Sequence, residues 1–286
     1  MHDAVLHSAR PTPIPALLSP TRLASNLWRH RDLIGQFAMR FFHLRHRGTH
    51  LGVVWALVLP LLMMVVYTAV FNFILSARYS LTGEETPSQF AVHLFCGLTV
   101  FTVFSESLVR SCVLVMENPA YVKKVVFPVE ILPVSQLFAA LMFSGIGLVL
   151  TIIGTVVFFG RIPWTVVLIP LVMLPMVAMT LGLSWFLASL GVFLRDITNI
   201  ITILVSQVLI FVTPVFYSLE RLPEPWREIA SFNPLAPIVD GARKVIVMGE
   251  QPDWTALGAV LVVGLACMQM GYAWFMKSKR GFADVL

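Results

Sequence analysis

The sequence predicts an all-helical integral membrane protein: six transmembrane helices, an amphipathic interfacial helix near the N-terminus and short re-entrant helices before the last span. Three observations carry that prediction. Apolar residues make up 58% of the 286 and charged residues 12%, against roughly 25% charge in a soluble domain. One core cannot hide so many apolar groups, so most of them must face hydrocarbon, and a soluble single domain is excluded. Five stretches, Leu51 to Ser76, Ile131 to Gly160, Ile162 to Leu194, Ile197 to Leu219 and Trp254 to Met276, contain no charged residue. Each exceeds the roughly 20 residues that a helix needs to cross lipid with its backbone satisfied internally. Finally, the basic residues segregate to one side of the segments so defined.

The elements follow in chain order. Residues 1–21 carry Pro11, Pro13, Pro15 and Pro20 and no continuous apolar core; they lack the pattern of a cleavable secretory signal and are expected to form a disordered cytoplasmic tail. Residues 22–47 form the amphipathic segment. From Trp28 to Leu44, Leu33, Ile34, Phe37, Phe41 and Leu44 fall on one helical face and Arg29, Arg40 and His43 on another. Such a helix lies in the inner headgroup region, or packs on the protein itself. Residues 48–286 hold the six spans, at about 51–76, 90–116, 131–159, 165–192, 197–218 and 255–276. The second contains Glu106 and Arg110 but is otherwise apolar. Pro60, Pro170 and Pro175 fall inside apolar stretches and are expected to kink them. The segment Glu220 to Asp253 is too apolar for a plain loop: Leu235, Ile238, Val239, Val245, Ile246 and Val247 lie between four prolines and Gly249. It reads either as two short helices dipping into the outer leaflet or as a surface cap on the span ends.

With the N-terminus inside, thirteen basic residues fall in cytoplasmic segments and six in outer ones, which also carry eight acids. Both termini are therefore expected in the cytoplasm. The three cysteines, Cys96, Cys112 and Cys267, sit in apolar runs and read as buried hydrophobes, not as a disulfide frame or metal site.

Patterns that carry chemistry are absent. No G-x-x-x-x-G-K-[ST] occurs, so this chain has no Walker cradle for nucleotide phosphates; H-E-x-x-H, C-x-x-C and nucleophile-elbow patterns are missing as well. Gly145 and Gly147 sit in mid-span and read as helix-packing positions. Glu106 and Arg110, four apart, are expected to pair with each other. Either charge alone would cost about 2.5–3.5 kcal/mol at the bilayer centre, so a position toward the cytoplasmic end is expected. They read as polar lining of a conduit or as an ion pair that locks packing. Tyr67, Phe71 and Phe211 are candidates for the lining of a sugar path, whereas Trp55, Tyr217, Trp254 and Trp274 read as an interface belt.

Five stretches in order add a resemblance. RHRGTHLGVVWALVLP at Arg45 to Pro60, NPAYVKKVVFPVEILP at Asn118 to Pro133, FLRDITNI at Phe193 to Ile200, TPVFY at Thr213 to Tyr217 and NPLAPIVDGAR at Asn233 to Arg243 resemble the permease subunits of ABC-2 type polysaccharide exporters, the O-antigen and teichoic-acid export family. The closing GFADVL is similar to the ends of O-antigen permeases. The resemblance implies a homodimer with the conduit between two copies and two separate ATP-binding cassette subunits docked below. ATP and Mg would be bound by those partners, and no cofactor by this chain. It further implies ATPase contacts from Arg40, Arg45 and Arg47 and from the loop with Asn118, Lys123 and Lys124; the two lysines read equally as lipid-pyrophosphate contacts or positive-inside anchors. Asn233, Pro234 and Arg243 would belong to a re-entrant outer gate, with Arg243 touching pyrophosphate or snorkelling to the interface. No catalytic residue or metal site is expected. The implied function is export of lipid-linked polysaccharide, undecaprenyl-pyrophosphate-linked O-antigen in the first instance, across a bacterial inner membrane. The alternatives are an ABC-2 exporter of teichoic acid, capsule or a small lipid or drug, a secondary transporter, and a membrane enzyme acting on lipid-linked sugar.

Overall fold

The computed structural model describes residues 19–45, 54–70, 86–123, 127–219 and 222–285, and among these there is no strand. The predicted tail lies outside the described residues except for its end, where Pro20 takes the first helical turn. That position suits proline, since its missing N–H would have no helical partner there.

The described helices are α1 Pro20–Arg29, α2 Arg31–Leu44, α3 Trp55–Thr68, α4 Pro87–Leu114, α5 Pro119–Val122, α6 Ile131–Phe159, α7 Ile169–Phe193, α8 Ile197–Val212, α9 Trp226–Ser231, α10 Ala236–Arg243, α11 Trp254–Ser278 and α12 Phe282–Val285. Four described helices are long and apolar enough to cross a membrane: α4, α6, α7 with its leading 3-10 turn, and α11 with the turn that follows it. Two of the six predicted spans are not matched by a described helix of spanning length. The ends of the first, 51–53 and 71–76, lie outside the described residues. The fifth was expected over 197–218, but α8 stops at Val212, where Thr213 turns extended. The apolar run continues past that point, so hydropathy could not show the break, which falls where Pro214 disfavours helix at Thr213; the buried contacts beyond it are described below.

Boundaries elsewhere moved for local reasons. The single amphipathic helix is two, broken at His30, which leaves helical geometry and caps both. α4 starts three residues ahead of its predicted span: Thr86 and Gln89 form a capping box, and Pro87 fits the first turn. Pro170 likewise stands in the first turn of α7 and interrupts nothing, whereas Pro60 and Pro175 are interior to α3 and α7.

α4 is the buried core of the bundle. Its Phe90, Leu94, Phe101, Phe104, Leu108 and Cys112 are covered by α6, α7, α8 and α10. α7 and α11 form the most extensive helix pair. Gly271 faces the Gly182 backbone and Gly182 faces the Cys267–Met268 backbone, and a Cβ on either would overlap the other helix's main chain. Close backbone approach at small residues is how helices associate where lipid removes the hydrophobic drive. Gly147 fits its predicted packing role against Thr99 of α4, while Gly145 faces open space. The three cysteines are free, with Cys96 and Cys112 buried.

Candidate functional site

Polar chemistry gathers at the two ends of the bundle. At the end that carries the N-terminal helices, α2 lies along the first part of α6 and over the turn that contains α5. Ile34, Phe37 and Ala38 are buried against the protein. Phe37, Tyr121 and Phe127 pack edge-on and tilted, at 4.7–5.4 Å between ring centres. Arg40 donates a 2.7 Å hydrogen bond to the Tyr121 hydroxyl, and its guanidinium lies against both the Phe37 and Tyr121 rings. The amphipathic segment and the loop after α4 are thus one packed unit.

Beside that unit opens a cavity of about 240 Å³ lined by Arg40, Arg45, Glu106, Arg110, Glu117, Asn118, Gln136 and Phe143, among others. Glu106 does not take Arg110 as its partner. Its carboxylate accepts from Arg45, whose guanidinium also lies 4.2 Å over the Phe143 ring. An i,i+4 pair contributes only about 0.2–0.5 kcal/mol, so a tertiary arginine that is held on an aromatic ring can displace it. Arg110 is exposed at the same cavity without an ion-pair partner among the described residues. Asn118 donates from its side chain to the Leu114 carbonyl, closing the end of α4.

A second polar group at this end was not singled out from the sequence. Glu130, just ahead of α6, receives Lys279 at 2.7 Å and Asn26 of α1 at 3.1 Å. Asn26 also donates to the Tyr272 hydroxyl, and Trp185 donates its indole N–H to the Glu130 carbonyl. Four elements thus meet around Glu130, whose carboxylate, with 6% side-chain exposure, is held by Lys279 and Asn26. Burial pushes its pKa up, but the Lys279 charge and the hydrogen bonds from Lys279 and Asn26 outweigh burial and hold it below the ordinary carboxylate value.

At the opposite end the organising group is Arg243, which is 1% exposed. Its Nε donates to the His93 carbonyl of α4 at 2.9 Å; its Nη atoms reach the carbonyls of Pro214, at 2.5 Å, and of Val215. Pro214 and Val215 lie in the non-helical segment just past α8. The guanidinium ties that segment to α4, with its fork geometry matched to several acceptors. Gly97 makes the room: a Cβ there would press on the Arg243 guanidinium. Asn233 is buried too, with its amide donating to Thr213 at 2.8 Å and its carbonyl accepting the Leu235 N–H. Arg243 is therefore not a snorkelling surface charge; it is structural glue between the cap, the broken helix and α4. Pro234 is half-buried at the turn into α10, and a π turn, Lys244–Met248, carries Val245, Ile246 and Val247 into the core.

The structure thus brings Arg40, Arg45, Glu106, Arg110 and Asn118 to one cavity, and Asn233, Pro234 and Arg243 to the other end. Lys123 is exposed after α5. Phe211 is 63% exposed near the end of α8, far in character from a lined pocket, and rests on Phe216. Arg47, Phe71, Lys124 and the side chain of Tyr67 lie outside the described residues. Sequence reasoning missed Glu130, Gln136, Phe143 and Lys279. Glu130 was legible in principle as the single acid in the stretch from Asn118 to Pro133.

Fold and site define the class first: a multi-pass helical membrane protein with its polar groups concentrated at the helix ends. Residues 33–247 match the family model described as ABC-2 type transporter, and the chain belongs to that family. Curated relatives include a protein of Klebsiella pneumoniae named O-antigen export system permease protein RfbA, 26% identical over 273 residues, covering 93% of this chain and 99% of the relative. A Myxococcus xanthus protein of the same name is 26% identical over 266 residues, covering 92% and 98%.

Proposed function

We propose that this chain is the membrane-spanning subunit of an ATP-driven exporter that moves a lipid-linked polysaccharide, undecaprenyl-pyrophosphate-linked O-antigen in the first instance, outward across a bacterial inner membrane. It works as a homodimer with the path between the copies. Two ATP-binding cassette subunits hold ATP and Mg and dock at the end where α2 and the turn around α5 are joined. This chain supplies path and coupling, not covalent chemistry.

The observation that carries the reading is the Arg40–Tyr121 junction within a chain whose relatives, over nearly their whole length, are named O-antigen export permeases. A rigid joint between the interfacial helix and the first loop gives an ATPase below one surface to push on. The push would reach α6 through Phe37 and Ile34, and α4 through Asn118 and the cavity. The cavity's arginines supply the positive charge that a pyrophosphate headgroup needs at an entrance.

Depletion of the protein, followed by analysis of lipid-linked glycans on the two faces of the inner membrane, tests the substrate. Accumulation of lipid-linked O-antigen on the cytoplasmic face is expected. Accumulation of a teichoic-acid or capsule precursor would reassign the substrate, and no glycan accumulation would overturn polysaccharide export. Co-purification with a stoichiometric ATPase is expected as well; ion-gradient transport by this chain alone in liposomes would replace the proposal with a secondary transporter.

A further inference from the structure

A groove of about 360 Å³ runs between α6 and the consecutive helices α1 and α2, with Leu27, Ile34, Ala38, Val134 and Phe138 in its apolar wall and Trp28, Arg31 and Gly35 also at its lining. We infer that this groove is a binding site for one anionic phospholipid of the surrounding bilayer, with an acyl chain along the apolar floor and the phosphate at Arg31.

Four features support that occupant. The groove is graded. Phe138 lies seven residues into α6 from Ile131, about 10 Å along its axis at 1.5 Å per residue, and is half exposed on the flank of a helix long and apolar enough to span. At the other end stand Trp28, 72% exposed, and Arg31, whose guanidinium lies 5.2 Å over the Trp28 ring. An apolar floor that ends in a tryptophan and a cation has the layout of an amphiphile at the headgroup level. Arg31 is also free to serve: besides the ring, it makes a 3.3 Å hydrogen bond to the Trp28 carbonyl and a loose 3.9 Å approach to Asp32, both at the surface.

Charge agrees. Residues 20–45 hold five arginines and a single acid, Asp32, a composition that attracts anionic lipid. Gly35 is the sharpest clue. Glycine is a poor choice in the second turn of a helix, and here no protein atom needs the space: a Cβ at Gly35 would meet nothing within 4 Å. The glycine keeps open a space that the protein itself leaves unfilled, and the volume is continuous with the apolar floor.

The consequence is mechanical. A lipid seated here fills the joint between the two N-terminal helices and α6, so its identity sets how firmly α2 is held on the first span it contacts. The inference rests on the chain's being a membrane protein, not on what it exports.

The test uses full-length protein in bilayers of phosphatidylcholine doped with phosphatidylglycerol or phosphatidylcholine that carries a photoreactive acyl chain, with adducts mapped by peptide mass spectrometry. The phosphatidylglycerol probe is expected to label the Ala24–Ala38 and Val134–Phe138 peptides well above the phosphatidylcholine probe. Arg31→Gln should lower that preference about fivefold, as expected for loss of one basic contact to an anionic surface. Gly35→Leu should abolish the labelling while leaving annular labelling of α11 unchanged. Arg31 is exposed, so its variant reports even if Gly35→Leu fails to accumulate. Equal labelling by both probes, insensitivity to Arg31→Gln, or crosslinks that show the groove covered by a second copy or by an ATPase subunit would overturn the inference.

Discussion

Arginine is used in two opposite ways at the two ends of this protein. Arg243 is sealed in the core and surrounded by main-chain carbonyls, and a glycine on the neighbouring helix is shaped around it. Arg45 and Arg110 border an open cavity, one shared between a carboxylate and a ring and the other exposed. Buried guanidinium with its donors satisfied fixes a conformation; guanidinium at the rim of a cavity remains able to meet an anion. On the proposed function, the Arg243 end holds the fold and the opposite end binds and transmits. Each substitution below probes that contrast, in descending order of expected effect on stability.

Arg243→Ala should be the most damaging. It leaves the carbonyls of His93, Pro214 and Val215 without their donor in a buried setting, at about 1–3 kcal/mol for each unsatisfied group. A loss of at least about 3 kcal/mol is expected, measured as the unfolding midpoint in detergent or as membrane abundance. Arg243→Lys should recover only part of it, because one ammonium cannot reach acceptors spread around a planar fork. Gly97→Ala should act in the same direction by pressing a methyl group on the Arg243 guanidinium while leaving residue 243 itself unchanged. If Arg243→Ala leaves stability intact and instead abolishes export, the cap is a binding site and the contrast fails.

The Glu130 junction comes next, and it should be asymmetric. Lys279→Met leaves a buried carboxylate without its cation and should cost about 2–3 kcal/mol, whereas Glu130→Gln leaves a lysine that can turn to water and should cost about half that. The pH dependence has a definite sign. The folded-state pKa of Glu130 lies below the ordinary carboxylate value, so the junction contributes its full stability above that ordinary value and loses it as pH falls through the folded one. An acid titration of unfolding in wild type and Glu130→Gln should diverge at neutral pH and converge in acid.

These two groups also mark what could and could not be read from sequence. Apolar length located α4, α6, α7 and α11, the last three free of charge over their predicted spans, because lipid forces helix on any such stretch. The five ordered signatures located the family, and the resemblance nominated Arg40 and Asn118, which the structure brings to one cavity. The contacts that hold the end of α8 were not legible: Pro214 marks the break locally, since it biases Thr213 out of helix, but the arginine that grips this segment comes some thirty residues later. The partner of Glu106 was missed for a similar reason. Spacing of four nominated Arg110, but Arg45 arrives from another helix with an aromatic ring behind it. Local rules rank local partners, and both failures are cases in which tertiary contacts across the bundle won.

The open cavity should tolerate change in stability. Arg45→Ala or Glu106→Gln removes a partly exposed pair and one cation–π contact, each about 0.5–1 kcal/mol. A double-mutant cycle between the two should give a coupling in that range. If the coupling exceeds about 3 kcal/mol, the pair behaves as buried glue like Arg243, and the two ends are not different in kind.

Arg110 makes the finest distinction. It is exposed, lines the cavity and has no ion-pair partner among the described residues, so Arg110→Gln should move stability by no more than about 0.5 kcal/mol. The same change removes one of three arginines at a proposed anionic entrance. It should lower export by cells or by reconstituted complex while ATP hydrolysis by the partner subunits and membrane abundance stay at wild-type levels. Arg110→Lys should restore part of the export, since a point charge still attracts a phosphate even without the bidentate fork. Unchanged export in Arg110→Gln, with Arg45→Ala equally silent, would move the substrate path away from this cavity and leave it as a packing gap between α2 and α4.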